Sequence, residues 1–266
     1  MGYIMDNAAE GERHRLRALE EVYDPTTRRH LAALEPRPGW RCLEVGAGAG
    51  SIARWLCERV APRGSVVATD IDTRFLDAEP APGLEPRKHD IVADPLEESA
   101  FDLVHARLLL EHLPASSDVL AKLYRAVKPG GWLVIEDSDW TLLRAPANER
   151  YHAPETVWPL EVKVIEAYFL LFDRAAVDWR FGRQLPHRML ALGLDEVNAS
   201  LSTDLVRGGS SQSQFYRISS ELLRAGLRAT SLSEDELDTW QAHIANPAAV
   251  WMNLPLMTVW GRRRSA

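Results

Sequence analysis

Only two cysteines, Cys42 and Cys57, occur in the 266 residues. No histidine lies near enough in sequence to complete a zinc site with them, so no metal is expected and both read as buried free thiols. No apolar run approaches the roughly 18 residues that span a bilayer, which argues against a membrane role. The start of the chain lacks a basic stretch followed by an apolar core, so no secretory leader is expected and a cytoplasmic location follows. Positive charge is not in excess either. The net charge of −7 argues against a nucleic-acid partner, whose phosphates demand lysine and arginine. The short tail Arg262-Arg263-Arg264 reads as a solvated end. Repeats, low-complexity runs and clear linkers are also missing. The reading is one domain over 1–266, acting as a monomer or homodimer.

What is present is ordinary globular composition, 46% apolar and 26% charged, arranged in alternating patterns. Leu16, Leu19 and Val22 recur at helical spacing. Asp24-Pro25 then reads as an N-cap and first helical position, opening a second helix to about residue 34. From residue 41 short apolar runs alternate with helical patterns. Strands are expected at 41–45, 65–69, 87–91, 101–106 and 132–136, and helices at 51–60, 73–78 and 118–127. Such alternation implies crossover units and a parallel sheet with helices on both faces, an α/β doubly wound fold of Rossmann-like type. The second half is more helical, with helices expected at 155–175, 183–192 and 212–225. A capping box at Ser233-Glu234-Asp235-Glu236 opens another. Strands are expected at 197–206 and 254–260. Residues 1–39 thus form a helical lead, 40–140 a ligand-binding core, and 141–266 covering helices with the last strands.

The chemistry concentrates in the turn Glu44-Val45-Gly46-Ala47-Gly48-Ala49-Gly50. It follows a strand and opens a helix, where exposed amides favour oxygen acceptors and glycine lets a ligand approach the backbone. The spacing is G-x-G-x-G, not the G-x-G-x-x-G of dinucleotide folds. Glu44 stands where a carboxylate suits a cationic amino group. Asp70 ends the next strand, where a carboxylate can accept two ribose hydroxyls.

At these residues the chain resembles the class I S-adenosylmethionine-dependent methyltransferases. The matching stretches are LEVGAGAGS (43–51), VVATDID (66–72), HDI (89–91), FDLVHARLLLEHLP (101–114) and VKPGGWLVIED (127–137), in the family's order and spacing. The resemblance implies a seven-stranded sheet with its last strand antiparallel. It implies S-adenosyl-L-methionine as cofactor and S-adenosyl-L-homocysteine as product. Glu44, Gly46, Gly48 and Gly50 would line the methionine and ribose part. Asp70 would hold the ribose, Ile71 and Ile91 would pack beside the adenine, and Asp90 would face its amino group. Ala106 and Arg107 would lie near the methionine end, which Tyr23 would reach from the N-terminal helices. Two other readings stand beside this one: a nicotinamide-dependent oxidoreductase, and a protein that binds S-adenosylmethionine on the same fold without methylating.

Methyl transfer needs mainly a well-placed nucleophile, and a base only when the acceptor must lose a proton. His112, Asp137 and Asp139 are the candidates for that base, with His152 behind them. Asp90 could instead cap a turn, and Asp102 reads as a structural contact. Six of the nine tryptophans lie from Trp140 onward. Trp140, Tyr151, Trp158 and Phe169 are expected to line an apolar pocket for a small hydrophobic or aromatic, natural-product-like acceptor, methylated on O, N or C.

Overall fold

The computed structural model describes residues 11–144 and 152–265. Helix α1 (Glu12–Ala33) leads into β1 (Arg41–Val45), α2 (Ser51–Val60), β2 (Ser65–Asp70), α3 (Arg74–Ala78), β3 (Leu84–Lys88), β4 (Phe101–Arg107), α4 (Ser116–Ala126) and β5 (Val127–Ser138). The second half contributes α5 (Trp158–Ala175), α6 (Phe181–Ala191), β6 (Asp195–Ser202), β7 (Leu205–Arg207), α7 (Ser211–Leu222), α8 (Arg224–Arg228), α9 (Glu234–Ala245), β8 (Val250–Met252) and β9 (Leu256–Arg262).

Seven strands form one sheet in the order β3-β2-β1-β4-β5-β9-β6. The pairs among the first five strands are parallel, and β9 runs antiparallel to both β5 and β6. The expected Rossmann-like sheet with an antiparallel last strand is therefore present. Its two faces carry separate apolar layers. Val45, Val104, Ala106, Ile135 and Phe181 pack with α4 and α6 on one side. Cys42, Val66, Leu103 and Val134 pack with α1 and α2 on the other. Both cysteines are buried and unpaired. A third layer lies away from the sheet, where α5, α8, α9 and β8 bury Val164, Leu227, Leu237, Trp240 and Trp251. This cap holds the small β7–β8 sheet and sits over the ends of the parallel strands.

The elements differ from the sequence expectation at four places. The two N-terminal helices are one, with Pro25 inside α1. Pro25 and Glu21, whose carbonyl loses its helical partner, are both exposed residues. Strand β3 begins at Leu84, earlier than the apolar signal at 87–91, and it carries Pro86 because it is a sheet edge. The run expected as one strand at 197–206 divides between β6 of the main sheet and β7 of the cap. The helix expected at 212–225 divides into α7 and the short α8, which contains Gly226. The capping box is present: Ser233 accepts from the Glu236 amide, and the Glu236 carboxylate accepts from the Ser233 amide.

Candidate active site

The first cavity, about 380 Å³, opens where β1, β2 and β4 end. Its floor is the glycine turn. The Gly46 and Ala47 amides donate to the Thr69 carbonyl at 2.9 and 3.0 Å, which ties the turn to β2. Asp70 accepts from the Gly48 amide at 2.9 Å and from the Asp72 amide at 3.1 Å. Burial pushes its carboxyl above the usual range, while those amide bonds pull it back. Gly50 has φ +87°, and a Cβ there would lie 2.5 Å from a Leu76 methyl. Only glycine meets both demands. Across the turn lies α1. Glu20 accepts from the Ser51 amide at 3.0 Å, and Asp24 from its hydroxyl at 3.1 Å. Carboxylates thus cap the start of α2, where the helix dipole favours negative charge.

Beneath the cavity runs a buried polar row across the strand ends. Glu44 on β1 sits 2.7 Å from Nδ1 of His105 on β4, whose Nε2 is 3.3 Å from Glu136 on β5. Thr258 of β9 donates to Glu136 at 2.7 Å, and Thr27 of α1 donates to it as well. His105 is fully buried. Burial works against its charge, but the two carboxylates outweigh burial and raise the imidazole to about 9. Burial would raise Glu136; the bond to His105 and the nearby His30 ring, 3.8 Å away, reverse that and hold it well below the carboxylate range. Arg107 extends the row upward, donating to Thr27 at 2.9 Å and to Asp24 at 3.0 Å.

A second cavity of about 130 Å³ adjoins the first, and both are lined by Arg15, Leu19, Leu108 and His112. Arg15 makes a two-armed pair with Glu12 at 2.6 and 2.8 Å. Leu108 is held at φ +50°, a left-handed conformation that costs a leucine about 1–3 kcal/mol. Its amide donates to the Glu136 carbonyl at 2.7 Å, which fixes the strained residue between the cavities. Burial, and then the Arg15 charge, lower His112 to about 4, so its ring is neutral at physiological pH. The second cavity is mainly aromatic. Trp140 and Phe172 meet edge to face at 4.7 Å, and Tyr168, Tyr216 and Trp251 complete the wall.

The sequence-predicted residues distribute unevenly over this geometry. Glu44, Gly46, Gly48, Asp70, Ile71, Asp90, Ile91 and Arg107 line the first cavity. Gly50 ends the turn as the residue before α2 and does not line the cavity. Ala106 is fully buried in the core layer behind β4. Tyr23 lines the second cavity, not the first. Asp90 also serves the turn, accepting from the Val92 and Ala93 amides at 2.9 and 3.3 Å. Asp102 accepts from the Arg41 amide and from Lys128, both at 2.8 Å.

Among the base candidates, His112 borders both cavities, whereas Asp137 and Asp139 border neither. Asp137 is fully buried, and burial drives its carboxyl well up. Asp139 accepts from the Thr141 amide at 3.1 Å and lies 3.4 Å from Arg183, fixing the short turn Trp140–Arg144. Trp140 lines the second cavity. Phe169 packs behind the wall with its ring 4.6 Å from Trp179, and Trp158 packs on His152 at 4.8 Å. Tyr151 lies outside the described residues. Sequence reasoning missed His105, Arg15 and Glu161. The one available signal was a histidine set among apolar residues of a buried strand.

Residues 43–135 match the methyltransferase domain family. With this sheet order, glycine turn and strand-end cavity, the matched stretch has the architecture of a class I S-adenosylmethionine-dependent methyltransferase domain. The chain is similar to a 37.1 kDa protein in a transposon of Streptomyces fradiae, 27% identical over 81% of this chain and 60% of that one. Nocamycin O-methyltransferase of Saccharothrix syringae is 33% identical over 52% of this chain and 55% of its own length. The chain thus spans little more than half of either relative. A solved phosphoethanolamine N-methyltransferase 2 of Haemonchus contortus, in complex with S-adenosylhomocysteine, shares the fold with a TM-score of 0.53 and 15% identity, covering 95% of this chain and 53% of that one. No described helix is long and apolar enough to cross a membrane.

Proposed function

We propose that the protein transfers a methyl group from S-adenosyl-L-methionine to a small, ring-containing acceptor of natural-product type held in the second cavity. The observation that carries this reading is the pair of adjoining cavities, one built for a nucleoside and one aromatic, that share the wall at Leu108 and His112. The relation to Nocamycin O-methyltransferase supports the acceptor class.

The first cavity fits the cofactor on its own chemistry. Ile71 and Val92 are 50% and 40% exposed, yet both line it, leaving apolar surface that a flat base would cover. Asp70 stands at the end of β2 to accept ribose hydroxyls, and Asp90 stands by the base. Glu44, anchored on His105, suits an α-amino group, while Arg15 and Arg107 offer positive charge to an α-carboxylate. When bound, S-adenosylmethionine supplies an electrophilic methyl on a sulfonium.

The chain's own part is to place the acceptor atom in line, exclude water and take a proton where the acceptor has one to lose. His112 is the group that borders both cavities and is neutral at physiological pH, so it can accept that proton. Its lowered basicity suits an acceptor that is itself acidic, such as a phenol or an enol. The test is to incubate the protein with methyl-labelled cofactor and a panel of phenolic and enolic acceptors, measuring S-adenosylhomocysteine release. Acceptor-dependent release is expected. Label entering only protein or RNA would contradict the small-molecule reading.

A further inference from the structure

The second cavity has one wall that it does not share with the first. Glu161 in the first turn of α5, His152, Trp240 of α9 and Trp251 of β8 form it. Glu161 is 6% exposed and ion-paired to no described residue. His152 is equally buried, and neither of its ring nitrogens has a hydrogen-bond partner among the described residues. Burial and then the nearby His243 lower this ring to about 4, so it is neutral and keeps one nitrogen able to accept. Trp140, Tyr168 and Tyr216 line the same chamber.

These groups together match one chemistry. A buried carboxyl without a cation lacks the partner that would stabilise its charge. Aromatic faces attract cations through their quadrupoles. A purely apolar ligand would leave the His152 nitrogens unmet, at about 1–3 kcal/mol each. An ammonium group pairs with Glu161, donates to the accepting nitrogen of His152 and lies among the rings. Burial holds Glu161 up at about 7 against the pull of the Trp240 indole, and an adjacent ammonium would restore its charge.

We propose that this wall binds a basic amine of the acceptor, remote from the atom that receives the methyl group. The cavity is small, about 130 Å³, and meets the first along Arg15, Leu19, Leu108 and His112, so its ligand carries no more than one ring. The ligand class is an arylalkylamine: one ring whose acidic hydroxyl faces His112 and whose aminoalkyl arm reaches Glu161. The amine site stands on the geometry of the cavity alone; the assignment of the other end rests on the methyl-transfer reading.

Trp140, Trp240 and Trp251 line the cavity, so intrinsic fluorescence reports its occupancy. The experiment titrates tyramine against 4-ethylphenol, which lacks the amine, at mildly alkaline pH with and without S-adenosylhomocysteine. The wild-type protein is expected to bind tyramine about tenfold or more tightly than 4-ethylphenol. Glu161→Gln, and independently His152→Phe, should remove most of that preference while the melting shift given by S-adenosylhomocysteine stays. Equal affinity for the two probes, binding of neither at millimolar concentration, or an undiminished preference in folded Glu161→Gln would overturn the amine site. A protein that prefers tyramine but is not stabilised by S-adenosylhomocysteine would overturn the methyl-transfer reading and leave the amine site standing.

Discussion

His105 is held charged between Glu44 and Glu136 in the sheet interior, with the imidazole raised to about 9 from its usual 6.5. A raised group contributes stability that is complete below the unfolded value and is lost as pH climbs through the folded one. Unfolding free energy should therefore fall by about 3 kcal/mol between pH 6.5 and 9. His105→Gln should flatten that slope and lower stability at neutral pH, because two buried carboxylates lose their cation. Denaturant unfolding at a series of pH values checks both. Asp70→Asn is expected to weaken S-adenosylhomocysteine binding by about 10- to 100-fold, as a charged acceptor of hydrogen bonds is lost, measured by calorimetry. His112→Gln should lower kcat on phenolic acceptors by about 100-fold or more with little change in cofactor affinity. Glu44 and Asp70 were legible in sequence because their spacing from the glycine turn fixes where each strand ends. His105 was not, because its role depends on carboxylates 61 and 31 residues away. Asp137 and Asp139 lie away from both cavities for a related reason. Both follow β5 at the ligand-binding end of the sheet, but one turns into the core and the other into a local turn.

Elements with a local cause were readable, and those set by their neighbours were not. Helix α2 and strand β1 fall at the residues their patterns specify. The box opening α9 was legible because its two bonds lie within four residues. Ser233→Ala should cost about 1 kcal/mol of stability in a denaturant melt and leave ligand binding intact. Helix α1 shows the opposite case. Its Asp24-Pro25 pair signals a helix start, yet the helix continues because Asp24 bonds outward, to Ser51 and Arg107, and Pro25 faces solvent. Strand β3 has little apolar signal because an edge strand is only half covered. The division of residues 197–206 follows from two sheets competing for one run. Asp204 between them accepts from the Asn253 amide at 2.8 Å, a contact 49 residues distant that no local pattern encodes.

For the molecule as a whole, the parallel sheet provides the cofactor cavity and the cap provides the aromatic one, with α1 and Leu108 between them. The first was largely legible, because its residues cluster in five short stretches. The second was legible only in part. Trp140 lines the wall as expected, whereas Trp158 and Phe169 do not, and Phe215, Tyr216, Trp240 and Trp251 reach it from distant segments of the cap. A ligand that binds only the folded chain at 100 times its Kd stabilises it by about 2.7 kcal/mol, which for a chain of this length raises Tm by about 5–10 °C. The most direct test of the central claim is therefore a melting curve with S-adenosylhomocysteine and, in parallel, with NAD. A rise of that size with S-adenosylhomocysteine, none with NAD, and loss of the shift in Asp70→Asn is the predicted result. Stabilisation by NAD, with no response to S-adenosylhomocysteine, would contradict it.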